Sequence, residues 1–496
     1  MSKRKKIIFI IVIIVCIFIG IGSSISIQWL FDNFGNLTMD ELIFHIKVPL
    51  EGTSTDMIWK YLRESVWKIL ILTTLISAIL IYPILKDIKS IKNAKTSKKK
   101  RTPVISLAIS IVVLIANITS IVEKTDLDVY IANQINDSKF IEQEYVAPEE
   151  TKIEFPEEKR NLIYIFLESM ETTYYTREDG GISYDNLIPE ISKLAKENTD
   201  FSTTGKLGGA HVLGGTGWTV GAMSAQTAGV PLKLSIEANS LGEYSVFLGG
   251  AYSIGQVLEE NGYHNFLLLG SDATFGGRRS LFTQHGNYEI WDFVSAQEEN
   301  KVKEKVWWGY TDDKLFEYAK EKVTDLSKKD KPFNFTMLTA DTHFQDGYEC
   351  KDCKKQWDEQ YKDVISCSSR RVGEFIEWAK KQEFYEDTTI VIVGDHLTMQ
   401  KDFYNNKGSK YVKKVVCTII NPAVKGEEKN REYSTFDLYP TTLAAMGVKI
   451  EGDKLALGTN LFSEEQTLVE KYGVEYVNQE LSKTSKFYDN NILVSK

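Results

Sequence analysis

The sequence predicts an α/β fold: a domain on a mainly parallel central sheet, preceded by three transmembrane helices. Two observations carry that expectation. Three apolar stretches open the chain, at about residues 7–30, 66–85 and 104–122, each near the ~20 residues a helix needs to cross a bilayer core. From Asn161 onward, short apolar runs of strand length alternate with longer helical patterns, as βαβ units around a parallel sheet do. A third observation ties the fold to a function. Four of those runs stop at ligand-type side chains, and open α/β sheets bind ligands beyond the carboxyl ends of their strands.

The first apolar stretch follows Lys3-Arg4-Lys5-Lys6, as a signal peptide's would, but it exceeds the ~7–15 residues of such an apolar core and no small-x-small cleavage site follows. It reads as a retained anchor. The connection from Lys86 to Arg101 holds eight Lys/Arg, whereas Phe31 to Ser65 holds three, Lys47, Lys60 and Arg63. The positive-inside rule then puts the N-terminus and the second connection in the cytoplasm, and everything after the third span outside the cytoplasmic membrane. Residues 1–103 carry 16 basic and 7 acidic groups, a net +9; the whole chain is −9, so residues 104–496 carry −18. An acidic exported domain argues against nucleic acid as a partner, because nucleic-acid binding needs basic surface. The first external loop, Leu42-Ile43-Phe44-His45 through Pro49-Leu50-Glu51-Gly52, reads equally as a short interfacial segment or a solvated connection.

The expected organisation is a membrane domain over 1–122, a polar, acidic linker with Pro148 and Pro156 over 123–158, a catalytic domain over 159–465 and a polar tail over 466–496. Within the domain, Leu162–Leu167 ends in Glu168-Ser169, and Phe266–Leu269 in Gly270-Ser271-Asp272. Phe333–Leu338 leads to Asp341-Thr342-His343, and Thr389–Val393 ends in Gly394-Asp395-His396. Helices are expected at Ile254–Asn261, Asp313–Leu326, Ser368–Lys381 and Asp437–Met446.

The stretch Gly214-Gly215-Thr216-Gly217-Trp218-Thr219 runs into an apolar helix that halts at Gly229-Val230-Pro231. Glycines permit a tight turn and close approach to a ligand, and the turn delivers the Thr219 hydroxyl to a helix start, where free N–H groups favour an anion. A Gly-rich turn with a Thr at a helix start is also common structural chemistry, so its meaning depends on ligands elsewhere. Glu168, Asp395, His396 and the Thr219 oxygen make a sulfur-free, carboxylate-rich set that suits one divalent cation, with Mn²⁺ or Mg²⁺ favoured over Zn²⁺. Such a cation would lower the pKa of the Thr219 hydroxyl and align it for attack at phosphorus. Polar groups at the end of a buried strand are costly unless paired or coordinating, which favours a site at Asp395 and His396 over a structural role. His343, sharing a turn with Asp341, is a candidate for contacting the phosphoryl group or leaving oxygen. Asp272 and Arg278 follow a Gly-rich turn, and arginine matches phosphate oxygens in a bidentate fashion.

Cys16 lies in the first span. Cys350, Cys353, Cys367 and Cys417 are exported, where disulfides form. The first three look like half a zinc site without a fourth ligand, and a disulfide from Cys350 or Cys353 to Cys367 is the preferred reading; the pairing is open.

Asn161-Leu162-Ile163 through Leu167-Glu168-Ser169, the Gly-Thr-Gly-Trp-Thr219 turn, Asp341-Thr342-His343 and Gly394-Asp395-His396 together resemble the sulfatase-like branch of the alkaline phosphatase superfamily. More narrowly they resemble its membrane-anchored phosphoglycerol transferases, which include lipoteichoic acid synthases and the enzyme that decorates periplasmic glucans. Continuation of the turn to Gly-Val-Pro-Leu232, and the loop from Glu41 through Thr53, are closer to the glucan-decorating branch. The resemblance implies an enzyme that cleaves phosphatidylglycerol, holds glycerol phosphate on Thr219 and passes it to an envelope polysaccharide, glucan or teichoic acid. It also implies Glu168, Asp395 and His396 as metal ligands, and His343 and Arg278 as substrate contacts. The chain departs from lipoteichoic acid synthases in having three spans instead of five, and Gly276 or Gly277 in place of a Trp. Other readings are a phosphoethanolamine transferase, a phosphodiesterase or sulfatase on the same scaffold, and an inactive envelope-binding module. A formylglycine sulfatase needs Cys/Ser-x-Pro-x-Arg, which Thr219-Val-Gly-Ala-Met lacks.

Overall fold

A run of apolar residues with no polar alternation has to be covered on both faces, and Asn161–Leu167 is such a run: every residue after Asn161 is buried. In the computed structural model it is β1 of a six-stranded sheet whose other strands are β2 (His264–Leu269), β3 (Glu289–Trp291), β4 (Phe333–Leu338), β5 (Thr388–Gly394) and β6 (Cys417–Ile420). The order across the sheet is β3-β2-β4-β1-β5-β6. All neighbours are parallel except β6, which runs antiparallel to β5. The described residues are 3–34, 38–47, 55–92, 102–202, 205–234, 246–400, 403–404, 410–426 and 430–494. The Pro49–Thr53 stretch and residues 93–101 of the basic connection lie outside them.

Register decides what the sheet presents. Phe166 stands opposite Leu338 on one side and Val393 on the other, and Leu167 opposite Gly394. The three central strands therefore end level, and Glu168, Thr339 and Asp395 leave at the same edge. Beneath them Ile163, Ile165, Phe266, Phe335, Ile390 and Ile392 belong to one buried core, with the Phe266 and Phe335 rings stacked 5.9 Å apart. Burial of each such side chain stabilises the sheet by roughly 1.5–3 kcal/mol.

By its internal contacts the chain forms two compact units, residues 1–39 with 54–132, and residues 40–53 with 133–496. The first holds α1 (Lys3–Phe34), while α2 (Met39–Lys47) falls almost wholly in the second. The first unit also holds α3 (Trp67–Lys92) and α4 (Thr102–Thr125). Its three candidate spans, Arg4–Phe34, Met57–Lys86 and Thr102–Thr125, are long and apolar enough to cross a membrane. Ile13, Ile17 and Ile21 of α1 pack with Leu80, Ile81 and Ile84 of α3.

Four helices of the second unit shape the site: α5 (Thr219–Ala228), α6 (Arg278–Gln284), α7 (Asp312–Ser327) and α8 (Gln360–Ala379). The last begins eight residues before the expected Ser368, because Tyr361, Val364 and Ile365 already lie on its buried face. Within the expected linker, Leu127–Ile135 and Phe140–Glu144 are helical and Ile153–Glu154 pairs with Lys449–Ile450. The expected tail forms helices Leu468–Tyr472 and Val474–Ser482, and the Arg431 Nε donates to Glu470 at 2.9 Å.

Gly394 closes β5 because nothing larger fits there: an added Cβ would stand 2.0 Å from the Met170 carbonyl oxygen. Gly394→Ala is expected to lower the thermal midpoint by several degrees, measured by scanning calorimetry of the purified chain.

Candidate active site

The Gly-rich turn is shaped by close approaches. Gly215 has φ +80°, and an added Cβ would lie 2.8 Å from Pro231 Cβ. Buried Thr216 receives the Leu213 N–H at 2.9 Å, and the Gly214 N–H donates to Asn478 Oδ1 at 2.8 Å, so the C-terminal residues brace the turn. Trp218 is extended and Thr219 is the first residue of α5, its Oγ1 3.5 Å from His396 Nε2. Two turns along, Gln226 Nε2 donates to the Gly394 carbonyl at 3.2 Å, and its Oε1 accepts from Tyr164 at 3.0 Å. That buried amide ties the helix carrying Thr219 to the strand end carrying Asp395.

Glu168, Asp395 and His396 are all buried, and each offers a ligand atom within 4.8 Å of the others. Their orientations are fixed by hydrogen bonds behind them. Asp395 Oδ1 accepts from the Ser169 N–H at 2.9 Å and the His396 N–H at 2.7 Å. Its other oxygen, Oδ2, is buried and receives no hydrogen bond, although His396 Nε2 is 3.4 Å away. Ser169 Oγ donates to Glu168 Oε1 at 2.7 Å, and Ser169 itself sits at φ +55°, a conformation uncommon for a non-glycine residue. Around the Glu168 backbone, its N–H donates to Thr339 Oγ1 at 2.9 Å and its carbonyl accepts from Thr342 at 2.6 Å.

His396 Nδ1–H donates to the Leu397 carbonyl at 2.8 Å, which turns Nε2 towards both carboxylates. Burial pulls the imidazolium down, but the charges of Asp395 and Glu168 outweigh it and carry it up to about 9. Burial, with the neighbouring Glu168, pushes Asp395 up to about 7. A dry cluster of two acids and an imidazole, one carboxylate oxygen lacking any donor, is the donor set of a divalent cation. The residues present fit that group.

The substrate-side candidates converge on the same place. His343 is half-buried among aromatic rings, 4.6 Å from Trp308 and 4.9 Å from Phe344 between centroids, and its Nδ1–H donates to the Phe344 carbonyl at 2.8 Å. Burial lowers it to about 4, so the ring is neutral at pH 7 with Nε2 as an acceptor. Arg278 is buried at the start of α6, where Nε donates to the Phe275 carbonyl at 3.0 Å and Nη2 to the Asp272 carbonyl at 2.8 Å. Nη1 is its uncommitted donor among the described residues. Burial lowers the guanidinium to about 10, opposed by Asp272, Glu168, Asp292 and Asp395, which places it in the field of the carboxylates. Asp272 acts on the turn: its Oδ1 accepts from the Thr274 N–H at 2.8 Å.

Sequence reasoning missed Trp308. It packs on His343 and on Phe275, at 4.6 and 5.6 Å, although Gly276 and Gly277 stand where an aromatic was expected. Gly309 allows this approach, since a Cβ there would fall 1.6 Å from the Gly270 carbonyl oxygen. The signal was the Trp307-Trp308-Gly309-Tyr310 run. Among the cysteines, Cys353 and Cys367 form the disulfide, with Cys350 Sγ 3.2 Å from Cys353 Sγ. His211, His264 and His285 are engaged elsewhere, the first two with Glu432 and Glu289 and the third with Gln256.

Over residues 160–448, more than half of its length, the sequence matches the Sulfatase family. Phosphoglycerol transferase I of Escherichia coli is 31% identical over 334 residues, covering 64% of this chain and 41% of that protein. The namesake from Shigella boydii is also 31% identical, over 336 residues with the same coverage. The chain thus spans about two fifths of the length of these curated relatives. A crystal structure of an alkaline phosphatase superfamily protein from Vibrio parahaemolyticus covers 69% of this chain and 90% of its own, with TM-score 0.51 and 20% identity. The lipoteichoic acid synthase LtaP from Listeria monocytogenes covers 72% and 100%, with TM-score 0.50 and 16% identity. At those identities the structures bear on the fold, which is of the alkaline phosphatase type.

A cation held by these three side chains would compete with protons for them. Because Asp395 and His396 are both raised, protons are favoured on the cluster near neutral pH, and a cation would have to displace them. Calorimetric titration with Mn²⁺ is expected to give tighter binding at pH 8 than at pH 6, on the order of tenfold per pH unit for each proton released. Asp395→Asn and His396→Ala should each weaken Mn²⁺ binding by at least tenfold; unchanged titration in either would remove that ligand from the set.

Proposed function

This chain belongs to the sulfatase family, and we infer that within it the protein is a membrane-anchored phosphoglycerol transferase that works through a phosphorylated Thr219. The observation that carries the reading is the Thr219 oxygen at the start of α5, 3.5 Å from an imidazole whose Nε2 also faces Glu168 and Asp395. The 31% identity to proteins named phosphoglycerol transferase I supports glycerol phosphate as the transferred group and phosphatidylglycerol as its donor. The three apolar helices and the basic connection between the second and third support a catalytic unit outside the cytoplasmic membrane. Tethering then raises the effective concentration of a lipid donor.

Glu168, Asp395, His396 and the Thr219 oxygen would hold one divalent cation, Mn²⁺ by the preponderance of oxygen donors. When bound, it supplies Lewis-acid stabilisation of charge on the phosphoryl oxygens and of the Thr219 alkoxide. The chain's own groups do the rest. Thr219 Oγ1 attacks phosphorus, forming a phosphodiester to the glycerol head group as the bond to the diacylglycerol oxygen breaks, and the proton lost by the Thr219 hydroxyl is balanced by the one the departing diacylglycerol oxygen takes up. The Arg278 guanidinium, fixed by two backbone carbonyls, offers Nη1 to a non-bridging oxygen. In the second step the neutral His343 accepts at Nε2 the proton of the incoming acceptor hydroxyl, an envelope glycan or teichoic acid; that oxygen bonds to phosphorus as the bond to Thr219 Oγ1 breaks, and the proton held by His343 balances the return of Thr219 to a hydroxyl. Packing against Trp308 and Phe344 takes part of that imidazole out of water, which favours its neutral form.

The test is covalent trapping. Incubation of the purified chain with Mn²⁺ and phosphatidylglycerol should add one glycerol phosphate to Thr219, located by peptide mass spectrometry. Thr219→Ala should form no adduct and lose at least ~10³-fold in diacylglycerol release while keeping its fold. Near-normal lipid cleavage by that variant would remove Thr219 as nucleophile. An adduct arising from phosphatidylethanolamine instead would reassign the donor.

A further inference from the structure

Cys350 is a buried nucleophile that the chemistry at Thr219 does not use. It carries a free thiol, 6% exposed, in the segment between His343 and α8. Its Sγ lies 3.2 Å from Cys353 Sγ and 3.9 Å from Cys367 Sγ, the two sulfurs of the disulfide. Cys350 and Cys353 share a turn, in which the Cys353 N–H donates to the Cys350 carbonyl at 3.1 Å. Cys367 stands on α8. Cys353 is thus within reach of two cysteines, one on its own turn and one on the helix. Each of the two is met by a cation. Arg371 Nη2 donates to Cys350 Sγ at 3.1 Å, and Arg370 Nη2 to Cys367 Sγ at 3.4 Å. Arg371 is 9% exposed, its Nε is buried without a partner, and Asp352 Oδ2 lies 3.9 Å from its Nη2. A guanidinium so placed favours an anion beside it. Two of them argue against a divalent cation held by the same three sulfurs.

Thiol–disulfide exchange needs a thiolate close to a disulfide sulfur and a departing thiolate that is stabilised in its turn. We propose that Cys350, Cys353 and Cys367 form a thiol–disulfide exchange site in which Cys353 changes partner. The Cys350 thiolate attacks Cys353 Sγ, so that the Cys350–Cys353 bond forms as the Cys353–Cys367 bond breaks. Cys367 leaves as the thiolate, beside Arg370. The proton lost by Cys350 balances the one Cys367 takes up, and no oxidant or reductant is consumed. The three sulfurs lie in a triangle, so a turn of the side chains brings the attacking and leaving sulfurs into line. The first pairing staples the segment to α8, and the second closes it on itself as a Cys-x-x-Cys loop. That segment is tied to the turn carrying His343: the Tyr348 N–H donates to the Asp341 carbonyl at 2.7 Å. On the helix side, Tyr361 donates to the Thr342 carbonyl at 3.0 Å. Exchange therefore changes the restraint on that turn. The site does not depend on which group Thr219 transfers.

The test locates the free thiol in the full chain held in lipid nanodiscs. Samples kept at pH 8 are quenched in acid, unfolded, alkylated with N-ethylmaleimide and read by peptide mass spectrometry. Cys350 and Cys367 should both carry label, each on at least about a tenth of the molecules. Arg370→Gln, which removes the donor from Cys367, should move label towards Cys350 by about threefold or more, and Arg371→Gln should move it the other way. Cys367→Ser should fold with a Cys350–Cys353 disulfide and neither of those cysteines labelled, whereas Cys350→Ser keeps the staple. Amide hydrogen exchange over residues 344–359 should be faster by about threefold or more in Cys367→Ser than in Cys350→Ser. Label confined to one of the two cysteines, in wild type and Arg370→Gln alike, would overturn the proposal. So would free thiols at both Cys350 and Cys353 in Cys367→Ser, or label on Cys353 in the wild type, which would mean a Cys350–Cys367 bond. Equal amide exchange in the two locked variants would overturn the link to the His343 turn.

Discussion

Three parallel strands end at one level, and that register brings two carboxylates and an imidazole into a space where water cannot solvate them. Each strand end is pinned by its neighbour: the Thr339 N–H donates to the Phe166 carbonyl and the Asp395 N–H to that of Leu167, both at 3.0 Å. Desolvating such a cluster is unfavourable by several kcal/mol per unpaired charge, and the sheet cannot relieve it by moving because its strands are packed on both faces. A cation resolves the conflict, and so does a proton. The rest of the proposed chemistry depends on which of them is present.

A supporting layer makes that constraint useful. Gln226 fixes α5 against the end of β5, Thr339 and Thr342 clamp the Glu168 backbone, and Tyr361 of α8 donates to the Thr342 carbonyl at 3.0 Å. Asn478, from the C-terminal residues, holds the glycine turn. Gln226 and Asn478 thus position Thr219, while Thr339, Thr342 and Tyr361 position Glu168. Outer partners of this sort set ligand orientation and tautomer, and their loss is felt at the site.

Much of this was legible in sequence because the relevant signals are local. A strand that is buried on both faces shows as an unbroken apolar run, and Glu168, Asp341 and Asp395 stand directly after such runs. The glycine turn and the helix stop at Gly229 are likewise written within a few residues. What was not legible depends on distance along the chain. The β6 edge and the three-residue β3 are too short to stand out, and the segment 123–158 is polar although it pairs with residues some 300 positions away. Trp308 reaches His343 only because Gly309 lets two loops touch, and no periodicity announces that. The external loop was read as interfacial or solvated, since nothing local shows that Phe44 packs on Trp218. Cysteine spacing likewise left Cys350 and Cys353 equivalent as partners for Cys367, and only the fold chooses Cys353.

The most direct test of the central claim is anomalous diffraction at the manganese edge from crystals of the chain grown with Mn²⁺. One strong peak is expected between Glu168, Asp395 and His396, with the Thr219 oxygen also at bonding distance, about 2.0–2.3 Å from the ion. A peak elsewhere, or an ion held by the three side chains with the Thr219 oxygen turned away from it, would contradict the account.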